Sequence, residues 1–142
     1  MKVLIVDDEN HVRDAIQLLL PWEGLGFDTI LTAESVREAI RILQEEKPEL
    51  AIIDVVIGPV LGMDIMNYIN DQRFNTKVIV ISGHDDFQYV RAMFILGALE
   101  YLLKPIEQDK LREAVEKAMS QIQTMPEAEV VFAVDKQFKR LS

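Results

Sequence analysis

The stretch LAIIDVV, residues 50–56, is an almost continuous apolar run that is interrupted by a single carboxylate, Asp54. An apolar run without alternation is typical of a strand that is buried on both faces in a parallel sheet. Similar runs occur earlier and later in the chain, and the stretches between them carry apolar residues at helical spacing. The alternation predicts an α/β fold in which helices cover both faces of a parallel sheet.

Five strands and five helices are predicted from these patterns. The strands cover Lys2–Val6, Phe27–Thr32, Leu50–Ile53, Lys77–Ile81 and Glu100–Leu103. The helices cover about Asn10–Leu20, Ser35–Glu46, Met63–Asp71, Asp86–Leu96 and Glu107–Gln123. Ser35 followed by Glu38 indicates a capping box at the start of the second helix, and Gly97 fits the C-terminal cap of the fourth.

Composition limits the number of domains and the classes of function. A chain of 142 residues with 49% apolar and 27% charged residues has room for one globular domain. Its net charge of −9 means that this surface by itself repels nucleic acid and anionic lipid, and the absence of cysteine excludes a thiol nucleophile. No apolar run is long enough to cross a bilayer, and the acidic start is unlike a secretory signal. We therefore expect a cytoplasmic protein without membrane contact.

The regular pattern ends near Gln123. The next residues, TMPEAE at 124–129, are typical of a linker, and the remaining stretch to Ser142 is too short for a domain. We expect residues 1–123 to form one domain. Residues 124–142 would be a linker or the start of a truncated output domain, or else one added strand.

Polar side chains follow four of the predicted strands. They are Asp7, Asp8 and Glu9 after the first strand, Asp54 after the third, Ser82 after the fourth and Lys104 after the fifth. Because the carboxyl ends of parallel strands meet at one edge of the sheet, where open α/β sheets bind ligands, we expect these side chains to lie together. The predicted site combines several acids with one hydroxyl and one cation.

Each of these residue types has a use in phosphoryl transfer to a carboxylate. Asp7, Asp8 and Asp54 would repel one another as bare anions, so they indicate a divalent cation, and all-oxygen ligands favour Mg²⁺ or Mn²⁺. Asp54 could be the nucleophile, while Lys104 and Ser82 could stabilise charge on the phosphoryl oxygens. Taken singly, the acids after the first strand, Ser82 and Lys104 are common in turns and on surfaces, whereas a carboxylate that ends an apolar strand, as Asp54 does, is costly unless it is paired. Their joint placement favours a site.

Four segments carry a resemblance to a known family: VLIVDDE at 3–9, LAIIDVV at 50–56, VIVISGH at 78–84 and YLLKP at 101–105. With these segments in this order, residues 1–123 closely resemble the receiver domain of bacterial two-component response regulators. The resemblance implies a five-stranded flavodoxin-like fold with strand order 2-1-3-4-5. It also implies that a sensor histidine kinase phosphorylates Asp54, so that the chain is a signalling switch and not a metabolic enzyme.

The resemblance further implies how the metal is held. Asp8, Asp54 and the backbone carbonyl of Val56 would bind Mg²⁺, and Asp7 would assist through water. The segment Ile57–Gly62 departs from the family's usual Met-Pro-Gly-Met-Asp-Gly: it keeps the last glycine, exchanges proline with glycine and lacks the acid. We expect phosphorylation to be retained, with altered metal affinity and phosphate lifetime. As a hypothesis, Val56 and His84 tune hydrolysis by admitting or excluding water.

Switching is implied by the same resemblance. Ser82 would close on the phosphoryl group while Tyr101 rotates inward, which changes the outer face of helix four and strand five and allows a homodimer on activation. The Lys104–Pro105 peptide would be cis. Residues 82–106 also resemble regulators with an AraC-type output, so DNA would be contacted only through an output domain absent from this chain, in the regulation of transcription.

Helix four carries more apolar residues than one core face needs. The excess indicates either a partner surface or a helix that packs deeper than usual. Two alternatives to the switch also stay open: a stand-alone or non-phosphorylated receiver-like interaction module, and an aspartate-nucleophile phosphatase. The phosphatase class resembles this chain in using Asp and Mg²⁺, but it needs two acids that are two residues apart, whereas Asp7 and Asp8 are adjacent.

Overall fold

The computed structural model describes residues 1–83 and 86–123 of the chain. The strands are β1 (Lys2–Val6), β2 (Thr29–Ala33), β3 (Leu50–Asp54), β4 (Val56–Ile57), β5 (Val60–Leu61), β6 (Lys77–Ser82) and β7 (Glu100–Leu103). The helices are α1 (Asn10–Leu19), α2 (Val36–Glu46), α3 (Met63–Gln72), α4 (Phe87–Ile95) and α5 (Gln108–Gln123). The predictions for His84 and for residues 124–142 lie outside the described residues.

The main sheet contains five parallel strands in the order β2-β1-β3-β6-β7. The other two strands, β4 and β5, form a separate antiparallel hairpin. If the hairpin strands are left out of the numbering, the order is 2-1-3-4-5. The predicted α/β class, the flavodoxin-like arrangement and the strand order are therefore confirmed.

The central strand β3 is buried along its whole length, and its side chains divide between two cores. Ala51 and Ile53 point into a core that also contains buried residues of α2, α3 and α4. Leu50 and Ile52 point into the second core, which α1 and α5 close from the other side of the sheet. Since successive strand residues face opposite sides, one apolar run supplies both cores.

The second strand was predicted two residues too early, because Phe27 belongs to a turn and not to β2. The Phe27 backbone nitrogen donates to the Trp22 carbonyl at 2.9 Å, and the two rings pack edge to face with centroids 5.5 Å apart. Both side chains are buried. The apolar character of Phe27 therefore stabilises the turn before the strand. The remaining predicted ends differ from the observed ones by one residue or not at all.

Both predicted helix caps are present, one of them in altered form. The Ser35 hydroxyl accepts from the Glu38 nitrogen at 3.1 Å, as in a capping box. The Glu38 carboxylate, however, accepts from the Glu34 nitrogen at 3.0 Å and not from that of Ser35. Gly97 follows α4 with a φ of +113°, the left-handed conformation that favours glycine after a helix.

Helix α4 packs against the core through a narrow face. Val90 and Met93 are buried, whereas Phe87 and Ile95 are 71% and 74% exposed. The alternative that α4 packs deeper than usual is therefore wrong, and its apolar excess lies on the surface. Within the described ranges, no helix combines the length and the apolar character that a membrane crossing requires.

Candidate functional site

The carboxyl edge of the sheet brings together residues from distant parts of the chain. Asp54 ends β3 and pairs in register with Ile81 of β6, and Ser82 pairs with Leu103 of β7. The Lys104 backbone nitrogen donates to the Ser82 carbonyl at 2.8 Å. This bond extends the ladder by one step and holds Lys104 at the same edge as Asp54.

Lys104 lies at the centre of the acidic residues. Its Nζ is 2.7 Å from Asp54 Oδ2, 2.8 Å from Asp7 Oδ2 and 3.4 Å from Glu9 Oε1. Only 21% of the Lys104 side chain is exposed, and the Lys104–Pro105 peptide is cis, as expected. The lysine therefore links the ends of β1 and β3.

Asp54 is almost completely buried, with 4% of the residue exposed. Its Oδ1 accepts from the Val56 backbone nitrogen at 3.1 Å. Burial raises the pKa of Asp54 to about 7, and the nearby Asp7 adds to this rise, although the hydrogen bond from Lys104 opposes it. Burial lowers the pKa of Lys104, but its hydrogen bond with Asp54 and the attraction of the Asp7 carboxylate outweigh burial and leave that pKa above the usual lysine value.

The acidic turn after β1 offers a set of oxygen ligands. Asp7, Asp8 and Glu9 each present a carboxylate oxygen, and these oxygens lie within 4.8 Å of one another. Asp7 is fully buried, whereas Asp8 and Glu9 are exposed. Among the described residues this close group includes Glu9 and not Asp54. Glu9 was expected at this edge, but no role was predicted for it, although it directly follows Asp8 in the chain.

Asp7 is fixed through its backbone and through one carboxylate oxygen. Its nitrogen donates to the Ala33 carbonyl at 3.1 Å, and its Oδ1 accepts from the Glu9 nitrogen at 2.8 Å. Its carbonyl accepts from Arg13 Nη1 at 2.6 Å. Sequence reasoning missed Arg13, because an arginine in the first turns of a helix usually faces solvent.

Ser82 and Tyr101 lie together on the α4 side of the site. Ser82 is 1% exposed, and its hydroxyl donates to the Gly83 carbonyl at 3.0 Å. The Tyr101 side chain is partly exposed, and both residues line a cavity of 400 Å³ that Phe87, Val90 and Phe94 also border. The cavity lies between α4 and β7, so it gives the Tyr101 ring space next to Ser82.

The segment that departs from the family pattern forms the β4–β5 hairpin. Ile57 pairs with Val60 around Gly58 and Pro59, and Gly58 has a φ of +59°. A side chain at Gly62 would overlap the Asp54 carbonyl oxygen. The retained glycine therefore allows a close approach to the backbone of Asp54, and the exchanged Gly-Pro pair makes the turn.

A family model for the response regulator receiver domain matches residues 3–116, which is most of the chain. The chain belongs to this family. Its receiver domain resembles the transcriptional regulatory protein HptR of Staphylococcus aureus, with 37% identity over 110 residues that cover 78% of this chain and 43% of HptR. The chain thus spans about half the length of the curated relatives it matches, or less.

Solved receiver structures have the same fold. The REC domain of AraT, a response regulator from Geobacillus stearothermophilus, aligns with a TM-score of 0.80 and 28% identity over 88% of this chain and 98% of that one. The two component transcriptional regulator AraC from Clostridium phytofermentans aligns with a TM-score of 0.72 and 29% identity over 87% and 98%. The membership places this chain among the response regulators of two-component signalling.

Proposed function

We propose that this receiver domain accepts a phosphoryl group on Asp54 from a phosphohistidine of a sensor histidine kinase. One observation carries the proposal: Lys104 Nζ lies 2.7 Å from Asp54 Oδ2 and 2.8 Å from Asp7 Oδ2 in a pocket that buries both acids. Two buried carboxylates that share a single lysine are still costly, because one positive charge cannot balance two negative charges, so this arrangement needs a reason other than stability. Phosphoryl transfer is such a reason, since it uses a nucleophile, a cation and neighbouring acids together.

The transfer is a displacement at phosphorus. An oxygen of the Asp54 carboxylate attacks, and a P–O bond forms as the P–N bond to the kinase histidine breaks. The electron pair of that bond stays with the imidazole nitrogen, which takes up a proton. Lys104 Nζ, which contacts the attacking residue before reaction, then donates to a phosphoryl oxygen.

The acidic turn fits a divalent cation. Asp7 Oδ2 is buried and has no hydrogen bond of good geometry among the described residues, although Lys104 Nζ is near, so it has acceptor capacity left for an ion. Asp8, Asp54 and the Val56 carbonyl are the other proposed ligands, and Asp7 assists. When bound, Mg²⁺ or Mn²⁺ supplies positive charge that neutralises the transferring phosphoryl group.

The switch is proposed to run from Ser82 to Tyr101. The Ser82 hydroxyl now donates to the Gly83 carbonyl, and it would exchange this bond for a phosphoryl oxygen. Tyr101 would then enter the cavity that both residues line. The exposed face of α4 and β7 changes as a result, and a homodimer on activation is its proposed consequence.

The output is proposed to be transcription. HptR and the AraC regulator of Clostridium phytofermentans are transcriptional regulators by name, and this chain covers only 43% of HptR. DNA would be contacted by an output domain outside this chain, because a net charge of −9 disfavours contact with phosphates. A sensor histidine kinase is the proposed upstream partner, and the cytoplasm the proposed compartment.

Val56 is proposed to tune how long the phosphoryl group persists. It is half-buried, and its backbone nitrogen donates to Asp54 Oδ1, so the residue lies beside the acceptor. A Val56→Asn variant should bring a polar group and water closer to the phosphorus, and its phosphate lifetime should be shorter. An unchanged lifetime of the acyl phosphate would exclude this role. The same role proposed for His84 is tested in the same way with His84→Ala.

The main proposal is tested with acetyl phosphate and with beryllofluoride, each with Mg²⁺, and mass spectrometry as the readout. With acetyl phosphate we expect one phosphoryl group per chain, which is retained at low pH and absent from Asp54→Asn. With beryllofluoride we expect a change in the spectroscopic signals of residues in α4. Asp71→Asn, an exposed acid on α3, is the matched control and should be labelled like the native chain. Turnover of many phosphoesters would indicate an enzyme instead. No response to either reagent would indicate a non-phosphorylated interaction module.

A further inference from the structure

Arg13 of α1 places a positive charge against the acidic turn, which is itself proposed to bind a cation. Only 12% of its side chain is exposed, and its guanidinium makes two hydrogen bonds and one longer ion contact. Nη1 donates to the Asp7 carbonyl at 2.6 Å, Nη2 donates to Asn10 Oδ1 at 2.9 Å, and Nη2 lies 4.0 Å from Glu34 Oε2. An arginine so placed should weaken metal binding through its charge, so its position needs another explanation.

The Asp7 carbonyl has no other donor in the described part of the chain. The Asp7 nitrogen is bonded to Ala33 of β2 and its Oδ1 to the Glu9 nitrogen, but no backbone nitrogen there donates to its carbonyl. Arg13 is therefore what fixes the plane of the Asp7–Asp8 peptide. Because a peptide unit is planar, holding the Asp7 carbonyl also sets where the Asp8 Cα lies.

Asp8 depends on this arrangement more than its neighbours do. Within residues 1–83 and 86–123, no hydrogen bond or ion pair engages the Asp8 carboxylate, whereas Asp7 and Glu9 both contact Lys104. The direction of the Asp8 side chain thus follows from its backbone. A ligand that is held only through its backbone loses order when the peptide before it is released.

We propose that Arg13 is a positioning residue that raises the metal affinity of the acidic turn by holding the Asp7–Asp8 peptide. This inference rests on the proposed function, since it assumes that the turn binds a divalent cation. The guanidinium suits the task because two of its nitrogens reach two acceptors in a fixed geometry. A lysine would keep the charge but could not reproduce that geometry.

The charge effect and the positioning effect predict changes of opposite sign. Removal of a positive charge beside three acids should strengthen cation binding by electrostatics alone. Release of the Asp7–Asp8 peptide should weaken it, by about tenfold if Arg13 behaves as other residues that orient metal ligands. The direction of the change therefore separates the two explanations.

The test is titration of the full chain with Mn²⁺, with free Mn²⁺ followed by its electron paramagnetic resonance signal. We expect Arg13→Ala to bind about tenfold more weakly than the native chain, and Arg13→Lys to bind more weakly as well. Arg41→Ala is the control, because it removes the same charge from an exposed pair with Glu45, and its affinity should be unchanged. Fluorescence of the buried Trp22 reports whether each variant is folded.

Three outcomes would overturn the inference: equal binding, tighter binding, or full recovery in Arg13→Lys, which would show that charge alone matters. If Arg13→Ala does not fold, Arg13→Lys decides the question. Phosphorylation gives a second readout: the rate for Arg13→Ala should approach the native rate at saturating Mg²⁺ and fall below it at limiting Mg²⁺. If the native chain does not bind Mn²⁺, the metal part of the proposed function fails first, and this result is distinct from a failure of Arg13.

Discussion

Lys104 is the residue that allows Asp7 and Asp54 to share one pocket. Its Nζ lies within 2.8 Å of an oxygen of each, and both acids are nearly inaccessible to solvent. Without a cation between them, two buried carboxylates cannot both remain ionised at low cost. In the absence of metal, the charge balance of the pocket therefore depends on a single side chain.

Replacement of Lys104 by alanine should destabilise the metal-free protein by about 1–3 kcal/mol near neutral pH, because an acid loses its buried partner. The pKa of Asp54 is already raised to about 7, so its ionisation lowers stability as pH rises from its unfolded value through 7. Loss of Lys104 should raise the pKa of Asp54 further. The free energy of unfolding of Lys104→Ala should therefore fall below that of the native chain by more at pH 8 than at pH 5. Urea unfolding at pH 5 and at pH 8 in the presence of a chelator, followed by Trp22 fluorescence, measures the free energy of unfolding at each pH.

Lys117→Ala is the control for this prediction, because Lys117 pairs with Glu100 on the surface and is 49% exposed. It should cost less than about 1 kcal/mol at either pH. A deficit for Lys104→Ala that is the same at pH 5 and pH 8 would mean that Asp54 does not titrate in the way described.

Gly62 should not tolerate even a methyl group. Its φ of −62° is ordinary for any residue, but a Cβ would overlap the Asp54 carbonyl oxygen and approach Ile53 Cγ2 to 3.1 Å. Gly62→Ala should therefore destabilise the protein by about 1–3 kcal/mol, as other overpacked positions do. Gly83→Ala, whose Cβ would lie 3.7 Å from Asp86 Oδ2, is the control for urea unfolding. Equal midpoints for the two variants would contradict the steric explanation.

At the scale of elements, the hairpin β4–β5 is the feature that sequence patterns did not predict. Each of its strands has two residues, which is too short for periodicity to detect. The informative signal was the exchange of proline and glycine, since Gly58 supplies the positive φ and Pro59 follows in the turn. The hairpin brings Gly58 near Asp8, so an altered loop forms one wall of the acidic turn.

Gly58→Ala tests whether the hairpin influences the acidic turn. A non-glycine residue at a φ of +59° costs about 1–2 kcal/mol, and the new Cβ would lie 4.0 Å from Asp8 Oδ2 without a clash. We therefore expect a modest loss of stability in urea. We also expect a weaker affinity for Mn²⁺, because the hairpin turn at Gly58 relaxes away from its strained conformation and no longer supports the acidic turn. Pro59→Ala, which leaves Gly58 in place, should change the affinity less. An unchanged affinity in Gly58→Ala would mean that the hairpin does not influence the acidic turn.

Across the whole molecule, the convergence of Asp7, Asp54 and Lys104 could be predicted because parallel strands place their carboxyl ends at one edge. The two cores followed from apolar runs whose residues alternate between faces. The contacts of Arg13 could not be predicted, because they depend on how α1 lies against the turn after β1. Neither could the exposure of α4, since an apolar helix has the same sequence pattern whether it packs deeply or presents a surface.

Mg²⁺ should stabilise this chain of net charge −9 by binding at one site and not by neutralising its overall charge. If Mg²⁺ binds the folded acidic turn and not the unfolded chain, a hundredfold excess over its dissociation constant stabilises the fold by about 2.7 kcal/mol. The melting temperature should rise with Mg²⁺ and fall again when a chelator removes it. Asp8→Asn should lose this rise, although its metal-free melting temperature should be unchanged or higher because one repulsive charge is gone. NaCl at matched ionic strength is the control for screening. An equal rise with Mg²⁺ in Asp8→Asn and in the native chain would mean that the cation acts on the overall charge and not at the site beside Asp54.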